Sequence, residues 1–374
     1  MNLFATAKRN LAGIRTYEPG KPLEELEREY GIRNAVKMAS NENALGPSRK
    51  ALSALRGHLP SVHRYPDGNC FYLRRKLSKF LSVAPESLVF GNGSDEVLVF
   101  AVRAFVGPGD EVVIAEPTFL IYEIATQVEG GRVLKTPMKD FRYDLSAMLS
   151  KIGKKTKLIF IANPDNPVGT YVSRGELLAF LKRVPRRVLV VLDEAYFEFA
   201  SVKRDYPDSL KLLKTFRNLI VTRTFSKAYG LSGLRVGYGV MDPSIARAFN
   251  KVREPFNVNL LAQAAAAAAL DDKSHLVKTL RMVKEGRDYF FNEFRKLGLS
   301  YVDTVTNFVL VNLKTDANAV YEALLRRGVI VRSMGAWRLK TFIRVTIGKR
   351  SENERFIKEL RKTINHDKHK RSLK

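Results

Sequence analysis

The residues best suited to chemistry in this sequence lie where predicted buried strands end. Lys227 follows the apolar run at 219–222 in a turn rich in hydroxyl groups, Asp193 closes the run at 188–193, and Asn166 lies in the Asn-Pro-Asp-Asn-Pro segment after 157–162. In open α/β sheets, ligands bind beyond the carboxyl ends of the strands. A lysine, a carboxylate and an amide gathered at such an edge would suit a phosphorylated, electron-poor ligand.

A fourth predicted strand ends in a turn that is rich in glycine. The predicted strand at 87–90 runs through Gly91-Asn92-Gly93 into a helix that begins near Ser94 and Asp95. The free N–H groups at the start of that helix could hold a phosphate. The same residues could also form nothing more than a tight turn.

Each of the other residues also has an ordinary structural interpretation. Lys227 could be a surface lysine, Asp193 could cap a helix at a strand exit, and the Asn-Pro pairs could form only a rigid turn. The four strand ends together, in this order and spacing, favour a binding site.

The elements that must position these residues alternate between strands and helices. Strands are predicted at 87–90, 111–115, 131–136, 157–162, 188–193, 218–222 and 235–241. One of the helices between them, at 173–184, begins with Ser173 and Glu176 in the spacing of a capping box. Strands that are buried on both faces and alternate with helices predict an α/β fold with a mainly parallel sheet flanked by helices.

The pattern changes after about residue 270. An alanine-rich helix (260–270) and a long helix (273–297) are followed by strand 307–312, helix 317–327, strands 329–332 and 342–346, and helix 351–363. This order predicts a smaller α+β domain. We therefore predict an N-terminal arm over 1–45 that packs on the small domain, a large cofactor-binding domain over 46–275 and a small C-terminal domain over 276–374.

The lysine segment, TFSKAYGLSGLRVGY at 224–238, resembles that of the fold type I aminotransferases. NPDNPVG at 163–169 and DEAY at 193–196 resemble the other cofactor motifs of that family, in the expected order. Within it, the chain is most similar to the histidinol-phosphate aminotransferase family, on residues 17–22, 40–43, 64–66, 328–332 and 343–348. The resemblance covers nearly the whole chain and is more specific for the family than for the substrate. It implies the type I fold and pyridoxal 5'-phosphate as the cofactor.

The resemblance implies a task for each residue around that cofactor. Lys227 would bind it as a Schiff base and transfer protons, and Asp193 would keep the ring nitrogen protonated so that the ring withdraws electrons. Tyr196 and Asn166 would contact the phenolic oxygen. Phe119 would stack on the ring, where many relatives have tyrosine. The phosphate would be bound by Thr224, Ser226, Arg235, the N–H groups of Ser94 and Asp95, and Tyr65 of the partner subunit in a homodimer with shared active sites.

The resemblance also implies how substrates bind. Arg344 would bind the α-carboxylate of glutamate or 2-oxoglutarate and, in the other half-reaction, the phosphate of histidinol phosphate or imidazole-acetol phosphate. Arg332 would help with the phosphate, although it could also be an ordinary arginine at a strand end. The pocket would be completed by Tyr17, Asn41 and Asn166. The implied reaction converts L-histidinol phosphate and 2-oxoglutarate to imidazole-acetol phosphate and L-glutamate, and runs in reverse in histidine biosynthesis.

Three other functions stay open at this point. In an aromatic amino acid aminotransferase, Arg344 would bind only carboxylate, and a threonine-phosphate decarboxylase would break a different bond at the same cofactor. The third is a basic nucleic-acid-binding protein on a degenerate scaffold, against which the intact set of Lys227, Asp193, Asn166 and Arg235 argues. Trp337 and Arg338, between the two substrate arginines, could shape specificity or lie in an exposed loop.

Composition limits the class of protein further. The chain has 374 residues and a net charge of +26, which would attract nucleic acid, anionic lipid or small anions. The basic residues are spread along the chain apart from the run at 366–374, and no nucleic-acid-binding motif is present, so no specific nucleic-acid partner is expected. We find no signal peptide, no apolar run of about 18 residues and a single cysteine, Cys70. These features predict a cytoplasmic protein without membrane spans, disulfides or a metal cluster.

Overall fold

The computed structural model of this chain describes residues 6–372, and side chains through residue 364. The predicted basic run at 366–374 therefore lies outside the residues whose side chains are described. The chain divides into two compact units. The first comprises the described residues up to Tyr17, Pro47–Asn166 and Tyr171–Lys273. The second comprises Glu18–Gly46, Pro167–Thr170 and the described residues from Ser274 onward.

Helices and strands alternate through most of the chain. The helices are α1 (Leu23–Tyr30), α2 (Arg49–His58), α3 (Phe71–Leu81), α4 (Ser94–Phe105), α5 (Ile121–Val128), α6 (Leu145–Ser150), α7 (Arg174–Arg183), α8 (Phe197–Ala200), α9 (Ser209–Leu212), α10 (Pro243–Val252), α11 (Leu260–Ala269), α12 (Lys273–Lys296), α13 (Ala317–Leu325) and α14 (Arg350–Ser372). The strands are β1 (Val36–Lys37), β2 (Leu88–Gly91), β3 (Glu111–Glu116), β4 (Arg132–Pro137), β5 (Thr156–Ala162), β6 (Leu189–Asp193), β7 (Leu219–Thr224), β8 (Gly237–Met241), β9 (Ser300–Tyr301), β10 (Phe308–Asn312), β11 (Val329–Ile330), β12 (Arg332–Ser333) and β13 (Phe342–Thr346). In the described part of the chain, no helix combines the length and apolar character needed to cross a membrane.

A seven-stranded sheet in the order β2-β8-β7-β6-β5-β3-β4 forms the centre of the first unit. β8 runs antiparallel to both of its neighbours, and the other neighbouring strands are parallel. All seven predicted strands are present, with ends that differ by at most two residues. The prediction of an α/β fold with a mainly parallel sheet is confirmed.

Alternate residues of each central strand pack into different hydrophobic cores. On β5, Leu158 and Phe160 join a core with α4, α5 and α10, whereas Ile159 and Ile161 join a core with α6 and α7. Successive side chains of a strand point to opposite faces. Both faces of the sheet are therefore covered by helices, which leaves the strand ends as the places where polar residues can meet a ligand.

The second unit contains a four-stranded antiparallel sheet and a small parallel pair. The sheet has the order β12-β13-β10-β9, and β1 pairs with β11. The prediction of a single strand at 329–332 is wrong, because this segment divides at Val331 into β11 and β12, which belong to different sheets. The division allows Ile330 to pack with Leu26 and Leu325 while Arg332 pairs with β13.

The N-terminal segment is shared between the units. Residues 18–46 belong to the second unit, but the described residues up to Tyr17 belong to the first, which differs from the predicted arm over 1–45. The reason is a contact at the end of α5, where Asn10 Nδ2 donates hydrogen bonds to Gln127 O at 2.5 Å and Val128 O at 3.0 Å. The three-part division of the chain otherwise stays a prediction.

Candidate active site

The Asp193 carboxylate lies buried at the C-terminal end of β6 and is 5% exposed. Oδ2 accepts a hydrogen bond from Tyr122 Oη at 2.8 Å, and Oδ1 accepts one from Thr222 Oγ1 at 3.1 Å. Burial raises the pKa of Asp193 to about 6, although both hydroxyl groups oppose the shift. A cation beside the carboxylate would offset the cost of burying its charge. The protonated ring nitrogen of a ligand would be such a cation.

Tyr122, which the sequence analysis did not select, fixes the position of this carboxylate. Its buried ring on α5 stacks on Phe160 with centroids 4.6 Å apart, and Phe119 meets it edge-on at 5.6 Å. Burial, together with the charge of Asp193, holds the pKa of Tyr122 well above its ordinary value, so the hydroxyl stays a donor. The spacing of Tyr122 and Phe119, about one helical turn, is a signal that could have identified it.

Tyr122→Phe is expected to raise the pKa of Asp193 by about one unit, because a hydrogen bond to the ionised carboxylate is lost. Infrared titration of the carboxyl band in ligand-free protein would measure the change. Tyr143→Phe is the matched control, since Tyr143 is a half-buried tyrosine whose hydroxyl donates to a different carboxylate, that of Asp165, at 2.9 Å. An unchanged Asp193 titration in Tyr122→Phe would contradict the assignment.

Lys227 follows β7, the strand next to β6. Asp193 pairs with Thr222 across these parallel strands, so both strands end at the same edge of the sheet. Lys227 is half-buried, and its Nζ lies 5.8 Å from the ring centre of Tyr196, a buried residue that follows β6. The turn closes with a hydrogen bond from Gly230 N to Lys227 O at 3.1 Å. The structure therefore brings Lys227, Asp193 and Tyr196 to one edge of the sheet.

Asn166 lies in a loop that buried polar side chains hold in place. Asn163 Oδ1 accepts from Val172 N at 2.8 Å, and its Nδ2 donates to Val172 O at 3.2 Å. Asp165 Oδ2 accepts from Thr118 Oγ1 at 2.8 Å. These bonds place the half-buried Asn166 beyond the carboxyl end of β5, the neighbour of β6.

A cradle for a phosphate forms where β8 meets the start of α4. The helix has Gly93 as its N-cap, with no side-chain capping bond, so the N–H groups of Ser94 and Asp95 at its start could donate to an anion. A Cβ atom on Gly93 would lie 2.7 Å from Arg235 Nη2, and one on Gly237 would collide with the Ser94 nitrogen. Gly93 also has a positive φ of 85°, which disfavours other residues, so glycine at both positions lets these groups come together.

Arg235 and two hydroxyl residues complete this cradle. Arg235 has a left-handed backbone (φ 56°), which is strained for a residue other than glycine and is typical of functional sites. Its Nη2 lies 3.3 Å from Asp95 Oδ2. Thr224 pairs with Gly237 across β7 and β8, and Ser226 N donates to Thr224 Oγ1 at 3.1 Å. The predicted phosphate-binding residues of the first unit are thus brought together.

The two remaining residues of the first unit that were predicted to contact cofactor or substrate lie on its surface. Tyr65 is 84% exposed and stacks on Phe256, with ring centroids 4.9 Å apart. Tyr17 is also exposed, at the last position before the chain enters the second unit. Their predicted contacts with cofactor and substrate stay predictions.

Two arginines face each other in the second unit. Arg332 and Arg344 are direct partners across β12 and β13, and their guanidinium carbons lie 5.5 Å and 6.0 Å from the ring centre of Trp337. Arg344 is 6% exposed, donates from Nη2 to Ala39 O at 3.0 Å and lies over the ring of Phe308. Like charges directly across a strand pair are unfavourable. An anion bound between them would remove that repulsion.

Asn41 is joined by hydrogen bonds to Thr346, which lies two residues beyond Arg344 on β13. Asn41 N donates to Thr346 Oγ1 at 2.9 Å, which in turn donates to Asn41 Oδ1 at 3.2 Å. Trp337 is buried, so the exposed-loop interpretation is wrong for it, because its ring packs on the two arginines. Arg338 is exposed.

Comparison with known proteins agrees with these features. Residues 33–360 match the family described as "Aminotransferase class I and II". The chain is 50% identical to the histidinol-phosphate aminotransferase of Moorella thermoacetica, over 95% of this chain and 92% of that protein. It is 45% identical to histidinol-phosphate aminotransferase 2 of Carboxydothermus hydrogenoformans, over 96% of this chain and 99% of that protein.

A solved structure also matches along nearly the full length. The histidinol-phosphate aminotransferase of Sinorhizobium meliloti, in complex with pyridoxal-5'-phosphate, superposes with a TM-score of 0.91 at 31% identity, over 98% of this chain and 99% of that one. With the sheet and the strand-end residues described above, these matches show the family. This chain belongs to the class I and II aminotransferases, pyridoxal-phosphate-dependent enzymes of the type I fold, and within them to the histidinol-phosphate aminotransferase family.

Proposed function

We propose that this chain transfers the amino group of L-histidinol phosphate to 2-oxoglutarate, giving imidazole-acetol phosphate and L-glutamate, and that it works in reverse in histidine biosynthesis. The observation that carries the substrate assignment is the pairing of Arg332 with Arg344. Two guanidinium groups on neighbouring strands suit a phosphate close to a dianion, and they can also bind the carboxylate of glutamate. One anion site can therefore serve both half-reactions.

The first unit fits pyridoxal phosphate, the cofactor of the family. The buried carboxylate of Asp193 suits a protonated ring nitrogen, and the ring of Phe119, supported by Tyr122, suits stacking on the cofactor. The two glycines of the cradle leave room for a phosphate beside Arg235. When bound, the cofactor withdraws electrons from the substrate carbon that loses a proton.

The chain's own residues divide the remaining work. Lys227 Nζ would hold the cofactor and move the proton at the amine-bearing carbon of the substrate. Asp193 would keep the proton on the ring nitrogen, because its buried negative charge is stabilised by a cation beside it. Tyr196 and Asn166 would contact the phenolic oxygen. The phosphate would be bound by Thr224, Ser226, Arg235 and the N–H groups of Ser94 and Asp95.

The proposal includes a homodimer with shared active sites, working in the cytoplasm on small-molecule substrates. Tyr65 belongs to a group of exposed apolar or aromatic side chains on the first unit, with Leu59, Val62, Phe71, Tyr72 and Phe256. Monomeric proteins rarely leave such groups uncovered. In the dimer, Tyr65 of the partner subunit would contact the cofactor phosphate. Sedimentation analysis tests this point, and a monomeric active enzyme would contradict it.

A substrate panel tests the proposed reaction. We expect kcat/KM for L-histidinol phosphate to exceed that for L-phenylalanine by at least about 10²-fold, because a phosphate close to a dianion suits both Arg332 and Arg344, whereas the singly charged carboxylate of phenylalanine suits only one of them. Cofactor-loaded protein with 2-oxoglutarate as acceptor would be assayed with both amines and with O-phosphothreonine. A preference for phenylalanine would contradict the substrate but leave the family assignment. Release of carbon dioxide from phosphothreonine would instead support the decarboxylase.

Arg344→Ala is expected to lower kcat/KM for both histidinol phosphate and glutamate by about 10²-fold, because both lose a buried guanidinium partner. Most of the loss should be in KM. Arg338→Ala is the matched control, since Arg338 lies in the turn between β12 and β13 but is exposed, and it should change little. A loss confined to glutamate would show that the two substrates do not share the site.

A further inference from the structure

Three basic segments meet at the edge of the seven-stranded sheet that is opposite the active site. They lead into β5, β6 and β7: KIGKKTK at 151–157, KRVPRR at 182–187 and KLLKTFR at 211–217. These strands are adjacent and parallel, so their N-terminal ends share one edge, whereas Asp193 and Lys227 lie beyond the other. We call the eleven basic residues of these segments the basic edge: Lys151, Lys154, Lys155, Lys157, Lys182, Arg183, Arg186, Arg187, Lys211, Lys214 and Arg217.

Hydrogen bonds hold these segments side by side. Arg187 Nη2 donates to Gly153 O at 2.9 Å and its Nη1 donates to Thr156 O at 3.2 Å. Asn218 Nδ2 donates to Val188 O at 2.7 Å, which joins the second segment to the third. All eleven basic residues are nevertheless exposed. The fold thus converts three separate stretches of sequence into one continuous basic surface.

Most of the positive charge on the basic edge is not neutralised within the protein. The three segments contain no Asp or Glu. Three of the basic residues form ion pairs with carboxylates outside them: Lys157 with Asp110 at 3.7 Å, Lys211 with Asp208 at 2.8 Å, and Arg217 with Asp242 at 2.7 Å. For the other eight, the described residues provide no ion pair. Such a surface has a strong attraction for a polyanion.

The size of the basic edge fits a nucleic-acid duplex. Neighbouring strands are about 4.8 Å apart, so three strands with long basic side chains span roughly 20 Å. A duplex carries one phosphate per about 1.7 Å of its axis, so roughly ten phosphates lie along that length and about half of them face the protein. The eight cations without a carboxylate partner among the described residues are therefore enough to contact each phosphate that faces the protein.

The apolar residues of the segments argue against other polyanions. Ile152, Leu212, Leu213 and Phe216 are half-buried, so the surface has neither an apolar wedge for a lipid bilayer nor an exposed aromatic ring on which single-stranded bases could stack. We propose that the basic edge binds double-stranded nucleic acid through its phosphates, independently of base sequence. Because it lies away from the strand ends that carry Asp193 and Lys227, bound duplex leaves the transaminase site accessible.

Salt-dependent binding to a DNA duplex of about 20 base pairs tests the proposal. Fluorescence anisotropy with the cofactor-loaded full chain should show an affinity that falls by about 10³-fold between 50 and 200 mM salt, as expected for about six phosphate contacts. A fourfold variant should bind at least about tenfold more weakly; it combines Lys154→Gln, Lys155→Gln, Arg186→Gln and Lys214→Gln. The slope of log affinity against log salt concentration should be smaller in magnitude by about 3 to 4 in this variant.

A control variant with the same net charge separates the basic edge from the general charge of the protein. Lys278→Gln, Arg326→Gln, Lys340→Gln and Lys358→Gln remove four exposed cations from the second unit. This control should keep the wild-type affinity and slope, and both variants should keep transaminase activity. If the fourfold variant does not fold, the double variant Lys154→Gln, Lys155→Gln should still reduce the slope by about 2.

Two results would overturn the proposal. Equal loss of duplex affinity in the basic-edge and control variants would mean that the overall charge alone is responsible. Binding to phosphatidylserine vesicles that depends on the basic edge, together with no binding to the duplex, would assign the surface to a membrane instead.

Discussion

Replacing Lys227 with alanine is expected to reduce transaminase turnover by at least about 10⁴-fold, because in the proposed mechanism one amine would both hold the cofactor and move the proton at the substrate carbon. The visible absorption of lysine-attached cofactor should disappear at the same time. Cofactor should still bind, since the cradle around Arg235 and the carboxylate of Asp193 are unchanged. Stopped-flow assays and the absorption spectrum of the purified variant would measure both effects.

Added small amines provide the control for Lys227→Ala. Methylamine can take over part of the proton transfer, so it should restore activity in proportion to its basicity and concentration, which a folding defect would not allow. Substantial turnover without any added amine would contradict the role of Lys227.

Replacing Asp193 with asparagine is expected to affect activity and stability in opposite directions. Turnover should fall by about 10² to 10³-fold, because the ring nitrogen would lose the buried ionic partner that we propose for it. The cofactor-free protein should become more stable at neutral pH, because asparagine removes a buried charge while still accepting from Tyr122. The hydrogen-bond partners at 2.8 Å and 3.1 Å can bind an amide as well as a carboxylate.

The pH dependence of stability follows from the raised pKa of Asp193. Its pKa is about 6 in the folded protein and about 3.9 in an unfolded chain, so the folded state binds the proton more tightly. The stability that this proton provides is complete below the unfolded value and is lost as the pH rises through 6. Between about pH 4.5 and about pH 7.5, the free energy of unfolding of the wild-type protein should therefore fall by about 2 kcal/mol relative to that of Asp193→Asn.

Urea denaturation of the two cofactor-free proteins at both pH values would measure this difference. Adding cofactor supplies the control. A protonated ring nitrogen beside Asp193 should make the wild-type protein more stable than Asp193→Asn at neutral pH. If the two proteins show parallel pH dependence, Asp193 does not carry the raised pKa in the folded state.

The strand ends could be predicted from the sequence because their signals are local. Buried strands appear as short apolar runs, and the polar residues that follow them, such as Asp193 and Lys227, stand out against those runs. The helix cap at Ser173 is equally local, and the structure contains both of its hydrogen bonds. The rule that parallel strands end at one edge then places the polar residues together.

Features that depend on register or on distant contacts could not be predicted in this way. The pairing of Arg332 with Arg344, the burial of Trp337 between them and the bond from Tyr122 to Asp193 each join positions whose spacing in the sequence is uninformative. The apolar segment at 329–331 carries no local signal that the chain changes sheets within it. The basic edge also exists only after three strands have taken their order in the sheet.

The cradle that we propose for the cofactor phosphate joins Asp95 to Arg235, which are 140 positions apart. An unfolded chain cannot assemble these groups, so the cofactor binds only the native state and adds about 1.4 kcal/mol of stability for each tenfold excess over its dissociation constant. Proteases degrade mainly chains that have opened. Loss of the cofactor should therefore shorten the lifetime of this enzyme as well as abolish its activity.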